Sequence, residues 1–63
     1  MHSFDADYEG IQYAGEYDFV DDDTIVILFP DGTQSHEIPL RGLKPLPTAR
    51  IELRAYASKL KQR

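Results

Sequence analysis

The sequence predicts an α+β domain, mostly β, in which a three-stranded antiparallel meander is covered by one C-terminal helix. Residues 10–20 alternate between apolar and polar side chains, which is the period of a strand with one buried face. Residues 24–29 and 33–39 flank the turn sequence Pro-Asp-Gly-Thr, which favours a hairpin. Residues 48–62 place apolar side chains at helical spacing. We therefore expect one small domain over residues 1–63.

The strand predicted over residues 10–20 has one apolar face. Gly15 falls on that face, where a glycine indicates a bulge or a close approach of the backbone. Three adjacent aspartates then reverse the chain, because neighbouring carboxylates resist burial and aspartate favours turns. The apolar face consists of Ile11, Tyr13, Tyr17 and Phe19.

The hairpin predicted over residues 24–39 follows this turn. Residues 24–29 are β-branched and apolar on both faces, which is typical of a central strand. Pro30 presets φ for the turn, and Gly32 supplies a residue that tolerates positive φ. Pro39 places the returning strand at an edge of the sheet, since proline has no backbone N–H to donate.

The helix is predicted to begin at Thr48, which has the side chain of an N-cap residue. The N-terminal segment His-Ser-Phe offers a short fourth strand for the sheet. A strongly coiled meander of this kind resembles a small SH3-like barrel in architecture. The apolar stripe of the helix consists of Leu53, Tyr56, Ala57 and Leu60, widened by Ile51 and Ala55.

The charged residues are segregated along the chain. Residues 1–40 contain ten of the 11 acidic side chains and no Lys or Arg, whereas residues 41–63 contain all seven basic ones. Such a split indicates two electrostatic surfaces. A structural explanation is that opposite charges help two elements to dock, although an exposed ion pair contributes only ~0–1 kcal/mol.

Composition excludes several classes of protein. The chain has no cysteine, so disulfides and thiolate zinc sites are ruled out. The absence of cysteine also fits a protein of the cytoplasm. The N-terminal residues lack the pattern of a secretory signal. The longest apolar run, residues 25–29, is too short to cross a membrane. We expect a cytoplasmic protein that does not associate with membranes, with a homodimer as one source of added stability.

Residues 5–16 nearly match the calcium loop of an EF-hand. Asp5, Asp7 and Glu16 occupy the first, third and twelfth positions, and Gly10 the sixth. Too few residues precede Asp5 for an entering helix, and the segment after Glu16 alternates as a strand does. We therefore predict no metal site.

Catalytic chemistry is not indicated either. Ser35 and His36 are adjacent in a predicted strand, where neighbouring side chains point to opposite faces and so do not form a nucleophile–base pair. The sequence has no glycine-rich phosphate loop, and so small a chain hardly encloses a sugar-sized cleft. The prediction is a protein without enzymatic activity and without cofactors.

The principal prediction is a protein-binding module whose acidic surface docks on a larger, basic partner that handles nucleic acid. Carboxylates would stand in for phosphates and steer the partner into contact. By analogy, small acidic proteins without cysteine are often inhibitors or regulators made by phages or mobile elements. The predicted partner-binding residues are Asp5, Asp7, Glu9, Asp18, Asp21, Asp22, Asp23 and Asp31.

Two alternatives use other side chains. Arg50, Arg54 and Lys61 on the helix would contact phosphates in a nucleic-acid-binding regulatory module, which the ten carboxylates elsewhere disfavour. The aromatic face of the first strand would otherwise cage a methylated cation, although the structural explanation, a core face, is preferred. That platform would consist of Tyr13, Tyr17 and Phe19.

Overall fold

The computed structural model describes residues 1–61 of the 63-residue chain. It contains four antiparallel strands in the spatial order of the sequence, followed by one helix, so the predicted β-meander with a C-terminal helix is confirmed. The predicted end of the helix at residue 62 lies outside the described residues. The elements are β1 (His2–Tyr8), β2 (Ile11–Asp21), β3 (Thr24–Leu28), β4 (Ile38–Pro39) and α1 (Pro45–Lys61).

The optional fourth strand at the N-terminus is present as β1, and it is longer than the predicted segment. A tight turn joins β1 to β2, and both of its residues have positive φ, 51° at Glu9 and 82° at Gly10. Two successive positive φ angles give a turn whose twist matches that of the flanking strands. The calcium-loop-like segment, residues 5–16, is therefore a β-hairpin.

The sheet is open. Within residues 1–61, β1 and β4 are its two edges and do not pair with each other, so the SH3-like barrel is not formed. The long strand β2 pairs with β1 through residues 11–17 and with β3 through residues 16–21. Its two halves thus belong to two different hairpins.

The strand that returns along β3 is much shorter than predicted. Over residues 33–39 only Ile38–Pro39 forms a strand, and Gln34 makes an isolated bridge to Leu28. The reason is a side chain that takes the place of the ladder: the Ser35 hydroxyl accepts a hydrogen bond from the Ile27 N–H at 2.9 Å. Serine competes in this way with regular backbone pairing.

The helix begins earlier than predicted, at Pro45 rather than after Thr48. Proline suits the first helical position because the N–H groups of the first turn have no partner within the helix. Thr48 is therefore inside the first turns instead of capping them, and its hydroxyl donates to the Lys44 carbonyl at 3.1 Å.

One face of the sheet and one side of α1 form the core. The largest fully buried side chains are Ile25, Ile27 and Leu53. Gly15 is needed here, because a Cβ at that position would lie 3.1 Å from the Leu28 carbonyl oxygen and 3.5 Å from the Phe4 ring. Ile51, placed in the apolar stripe by the sequence, is instead 61% exposed, as the helix turns that side to solvent.

Candidate functional site

The register of the strands divides the sheet into a face covered by α1 and an uncovered face. Directly opposed residues of antiparallel strands point to the same side. Phe4, Ala6, Ile25 and Ile27 belong to the core that includes the helix. Their sequence neighbours therefore point the other way, to a surface that we call the open face. It consists of Ser3, Asp5, Asp7, Gln12, Ala14, Glu16, Asp18, Val26 and Leu28.

Four carboxylates of the sheet lie on the open face, and Arg50 and Arg54 of α1 line a recess together with two of them, Asp5 and Asp7. Successive open-face residues of one strand, such as Asp5 and Asp7, are ~7 Å apart. Ala14 lies between Asp5 and the unpaired side of β2, whereas Val26 and Leu28 of β3 lie opposite Asp18 and Glu16, on the side away from β1. The open face thus places carboxylates next to apolar side chains, and protein–protein interfaces combine both kinds of surface.

A notch opens at the position where β3 leaves β2. Its volume is about 310 Å³, and its walls include Ala14, Gly15, Leu28 and Pro30. Glu16 is also part of the wall, so a carboxylate stands at an otherwise largely apolar recess.

Three of the four basic side chains of α1 contact the acidic half of the chain. The Arg50 Nε donates to the Asp5 carbonyl oxygen at 3.0 Å, and the Arg54 Nε donates to the Asp7 carbonyl oxygen at 3.2 Å. Lys61 forms an ion pair with Glu9. That contact lowers the pKa of Glu9 and raises the pKa of Lys61, because each charge stabilises the other.

The eight acidic residues predicted to bind a partner do not form one surface. Asp5, Asp7 and Asp18 share the open face. Glu9 lies in the turn before β2, and the three-aspartate segment, residues 21–23, lies at the other end of β2. Their role in binding stays a prediction.

Two carboxylates of the three-aspartate segment have structural roles. Asp21 accepts a hydrogen bond from the Asp23 N–H at 2.9 Å, which shapes the β2–β3 turn. The Asp23 carboxylate accepts from the N–H groups of Arg41 and Gly42, both at 3.3 Å, and so holds the loop that leads to α1. Asp22 is the residue at the tip of the turn.

Asp31 lies in the turn after β3, on the side of the helix. Its carboxylate accepts hydrogen bonds from the Thr33 hydroxyl and from the Thr33 N–H, which lower the pKa of Asp31. Partial burial and the nearby Asp31 charge raise the pKa of Tyr56, whose ring stacks on Phe29 at 4.6 Å between centroids. Asp31 is therefore part of a local structure and not of the open face.

The aromatic platform is divided by the structure. Tyr13 and Tyr17 pack against the core, whereas Phe19 is 43% exposed. The Tyr17 ring stacks on His2 with centroids 4.9 Å apart, and Phe19 meets the edge of Tyr17 at 6.0 Å. Since His2 covers one face of the Tyr17 ring, that face is closed to a cationic ligand.

The candidate catalytic and metal-binding side chains are dispersed. The Ser35 hydroxyl donates to the His36 carbonyl oxygen at 2.7 Å as well as accepting from Ile27, so both of its functions are structural. Within residues 1–61, no group of three or more His, Asp or Glu side chains is placed to hold a metal ion. No helix in this part of the chain is long and apolar enough to span a membrane.

Comparison with known proteins found no matching family model, no matching curated protein and no matching solved structure. The function of this protein is therefore inferred from the geometry of the open face. The predicted partner-binding residues omitted Glu16, although its place in the alternation of residues 10–20 indicates the same wet face as Asp18. Sequence reasoning also missed the notch, which depends on where β3 ends.

Proposed function

We propose that this protein is a non-enzymatic binding module whose open face docks on the basic surface of a larger, nucleic-acid-handling protein. The observation that carries the proposal is the placement of four carboxylates on one uncovered sheet face, next to the apolar side chains Ala14, Val26 and Leu28. In the docked state they would occupy positions that phosphates of a nucleic acid otherwise take. The protein would then act as a competitive inhibitor or regulator of its partner. The four carboxylates are Asp5, Asp7, Glu16 and Asp18.

Charge and apolar contact have separate roles in this mechanism. A surface of one sign raises the rate of encounter with a partner of the opposite sign, and salt suppresses that effect. The apolar side chains of the open face supply the area that is removed from water, which slows dissociation. A reducing compartment such as the cytoplasm fits a chain without cysteine.

The test is affinity capture with the immobilised protein from lysate of the source cells, followed by kinetics with the purified partner. We expect a basic partner that is released by salt and by added DNA. The double variant Asp7→Asn/Glu16→Gln removes two open-face charges and should slow association while flattening its salt dependence.

The control is Glu37→Gln/Glu52→Gln, which makes the same change in net charge away from the open face. Glu37 precedes β4 and Glu52 lies on α1. Equal effects of the two double variants would contradict the proposal, since charge alone and not the open face would then govern binding. Binding that is insensitive to salt would contradict it as well.

Direct binding of nucleic acid by α1 is the alternative, and the contacts of the helix weaken it. Arg50 and Arg54 donate to the backbone of β1, and Lys61 pairs with Glu9, so each would exchange an internal contact for a phosphate. Fluorescence anisotropy of labelled DNA and RNA at two salt concentrations tests this alternative. We expect no binding at micromolar protein, and salt-sensitive binding would favour the helix.

A further inference from the structure

Within residues 1–61, the half of β2 that follows the first turn has a neighbouring strand on one side only. Residues 11–17 pair with β1, whereas pairing with β3 begins at Glu16. If the register of β2 and β3 continued beyond Glu16 and Leu28, Pro30 would lie opposite Ala14. Proline has no backbone N–H to donate, so the hydrogen bonding between the two strands ends before this position. Along residues 12–15, the β3 side of β2 is therefore an unpaired edge.

The direction of the backbone groups along this edge follows from the ladder. Ile27 exchanges hydrogen bonds with Ser35, so its N–H and C=O point away from β2, and those of Val26 and Leu28 point toward it. Their partners Asp18 and Glu16 consequently point toward β3. By the same alternation, the N–H and C=O groups of Gln12 and Ala14 point into the unpaired side.

Nothing in residues 1–61 pairs with these groups. Neither the strand registers nor the turn hydrogen bonds of that part of the chain place a backbone partner beside them. Both residues are exposed, and the notch of about 310 Å³ adjoins Ala14. An unpaired strand edge beside an open recess is a template for the addition of another strand.

We propose that this edge binds an extended, basic segment of the partner by strand addition, antiparallel to β2. The inference rests on the proposed function and specifies how the partner is held. β2 runs antiparallel to both of its present neighbours, and the new strand would continue the line of β3. Its alternate side chains would point to the open face, toward Glu16 and the carboxylates of β1.

Charge complementarity selects the occupant. The incoming strand would lie beside Glu16 and ~10 Å, two strand spacings, from Asp5 and Asp7, which Arg50 and Arg54 already adjoin. Glu16 stands in the wall of the notch itself. Backbone hydrogen bonds would provide the binding geometry, and Lys or Arg at every second position would provide the selectivity.

The first test uses unmodified protein and a hexapeptide of alternating Lys and Val. In antiparallel addition, the peptide residues directly opposite Gln12 and Ala14 exchange backbone hydrogen bonds with them and have their side chains on the same face. With Lys on the open face, the Lys N–H groups are therefore the ones that bond to β2. Methylation of the Lys backbone nitrogens should therefore weaken binding by about tenfold, the loss expected for one or two hydrogen bonds. Methylation of the Val nitrogens is the control and should leave binding unchanged, since it keeps the peptide charge and the Lys N–H groups. Hydrogen exchange of the Gln12 and Ala14 backbone amides should become slower only when peptide is bound.

The second test is Ala14→Pro, which removes an N–H that the sheet itself does not use. Ala14→Ser is the matched control because it keeps that N–H. Circular dichroism and the thermal midpoint should report a folded protein for both, and only the proline variant should lose peptide and partner binding. The peptide measurements on the unmodified chain decide the question even if the proline variant fails to fold.

Several outcomes would overturn strand addition. Equal weakening by the two methylated peptides, or no peptide binding at low salt, would exclude it. A concentration-dependent dimer that Ala14→Pro dissociates would assign the edge to a second copy of this chain. Partner binding that responds to Asp7→Asn/Glu16→Gln but not to Ala14→Pro would retain the proposed function and reject strand addition alone.

Discussion

The guanidinium Nε of Arg54 donates a hydrogen bond to the backbone carbonyl oxygen of Asp7 at 3.2 Å. One helical turn earlier, Arg50 makes the same contact with Asp5 at 3.0 Å. Asp5 and Asp7 belong to β1, an edge strand whose outward carbonyl groups have no neighbouring strand. Four residues along a helix and two residues along a strand both span ~6–7 Å. The spacing of the two arginines on α1 therefore matches the spacing of the two carbonyl groups on β1. The basic helix and the acidic strand are held together by this contact, and the edge of β1 is blocked against pairing with other chains.

Removal of both arginines, Arg50→Ala/Arg54→Ala, should destabilise the domain. We expect the free energy of unfolding to fall by about 1–3 kcal/mol, because two charge-assisted hydrogen bonds are lost at a partly exposed edge. Urea denaturation measures the change. The control Lys44→Ala/Lys59→Ala removes the same charge and should change stability by less than about 0.5 kcal/mol. Equal losses would show that overall charge, and not the edge contact, stabilises the fold.

Asp23 and its neighbour Asp22 should differ in their effect on stability. The Asp23 carboxylate accepts from two backbone N–H groups of the loop before α1, so Asp23→Ala should cost about 1–2 kcal/mol. Asp22→Ala removes the same charge from the turn tip and should be nearly neutral. Thermal unfolding of the two variants makes the comparison. If they match, the loop contact contributes nothing, and the three aspartates are equivalent.

The Ser35 hydroxyl takes the place of a missing strand residue beside Ile27. Ser35→Ala would leave the N–H of the fully buried Ile27 without its partner and should cost about 1–3 kcal/mol. Ser3→Ala, at an exposed position of the open face, is the control and should be near neutral. Exchange of the Ile27 amide, measured by NMR, should become faster in Ser35→Ala than in wild type. Unchanged exchange would mean that water or another group replaces the hydroxyl without cost.

Both acid and alkali should destabilise the Asp31–Tyr56 region, each through a different side chain. The folded-state pKa of Asp31 is lowered by Thr33, so its contribution to stability is present above the unfolded-state pKa and is lost as pH falls through the folded-state value. The pKa of Tyr56 is raised, so its contribution is present below the unfolded-state pKa and is lost as pH rises through the folded-state value.

NMR titration of selectively labelled protein checks both directions. Thr33→Val should raise the pKa of Asp31, and Asp31→Asn should lower the pKa of Tyr56, since each variant removes a cause of the shift. Thr24→Val is the control for the loss of a hydroxyl in β3 and should leave the pKa of Asp31 as it is. An unchanged Asp31 pKa in Thr33→Val would refute the assigned cause.

Local patterns of residues predicted most of the secondary structure. The alternation from Ile11 to Asp18 and the β-branched run from Ile25 to Ile27 are confirmed as β2 and β3. The side chains of a strand alternate between its two faces, so this pattern can be recognised from neighbouring residues alone. The same alternation assigns Glu16 and Asp18 to a wet face, so half of the candidate site was already present in the sequence.

The predictions that failed depend on contacts between distant residues. The predicted strand over residues 33–39 is mostly replaced by a hydroxyl contact between Ser35 and Ile27. The helix begins at Pro45, three residues before the predicted start at Thr48. The prediction was late because proline is common both in loops and in the first turn of a helix. The charges of Arg50 and Arg54 indicated a separate basic surface, but their reach to β1 depends on how the helix packs.

Local residue patterns were sufficient to predict a small, cysteine-free β-meander with a C-terminal helix and a division of charge between its two halves. Three features emerged only when the chain was folded: within residues 1–61, the basic helix lies along the acidic edge strand, the sheet stays open, and residues 12–15 have an unpaired edge. The physical reason is range: side-chain period and turn propensity act over a few residues. Register, packing and the point at which a strand pairing ends depend instead on residues far apart in the sequence, such as Arg54 and Asp7, which are 47 positions apart.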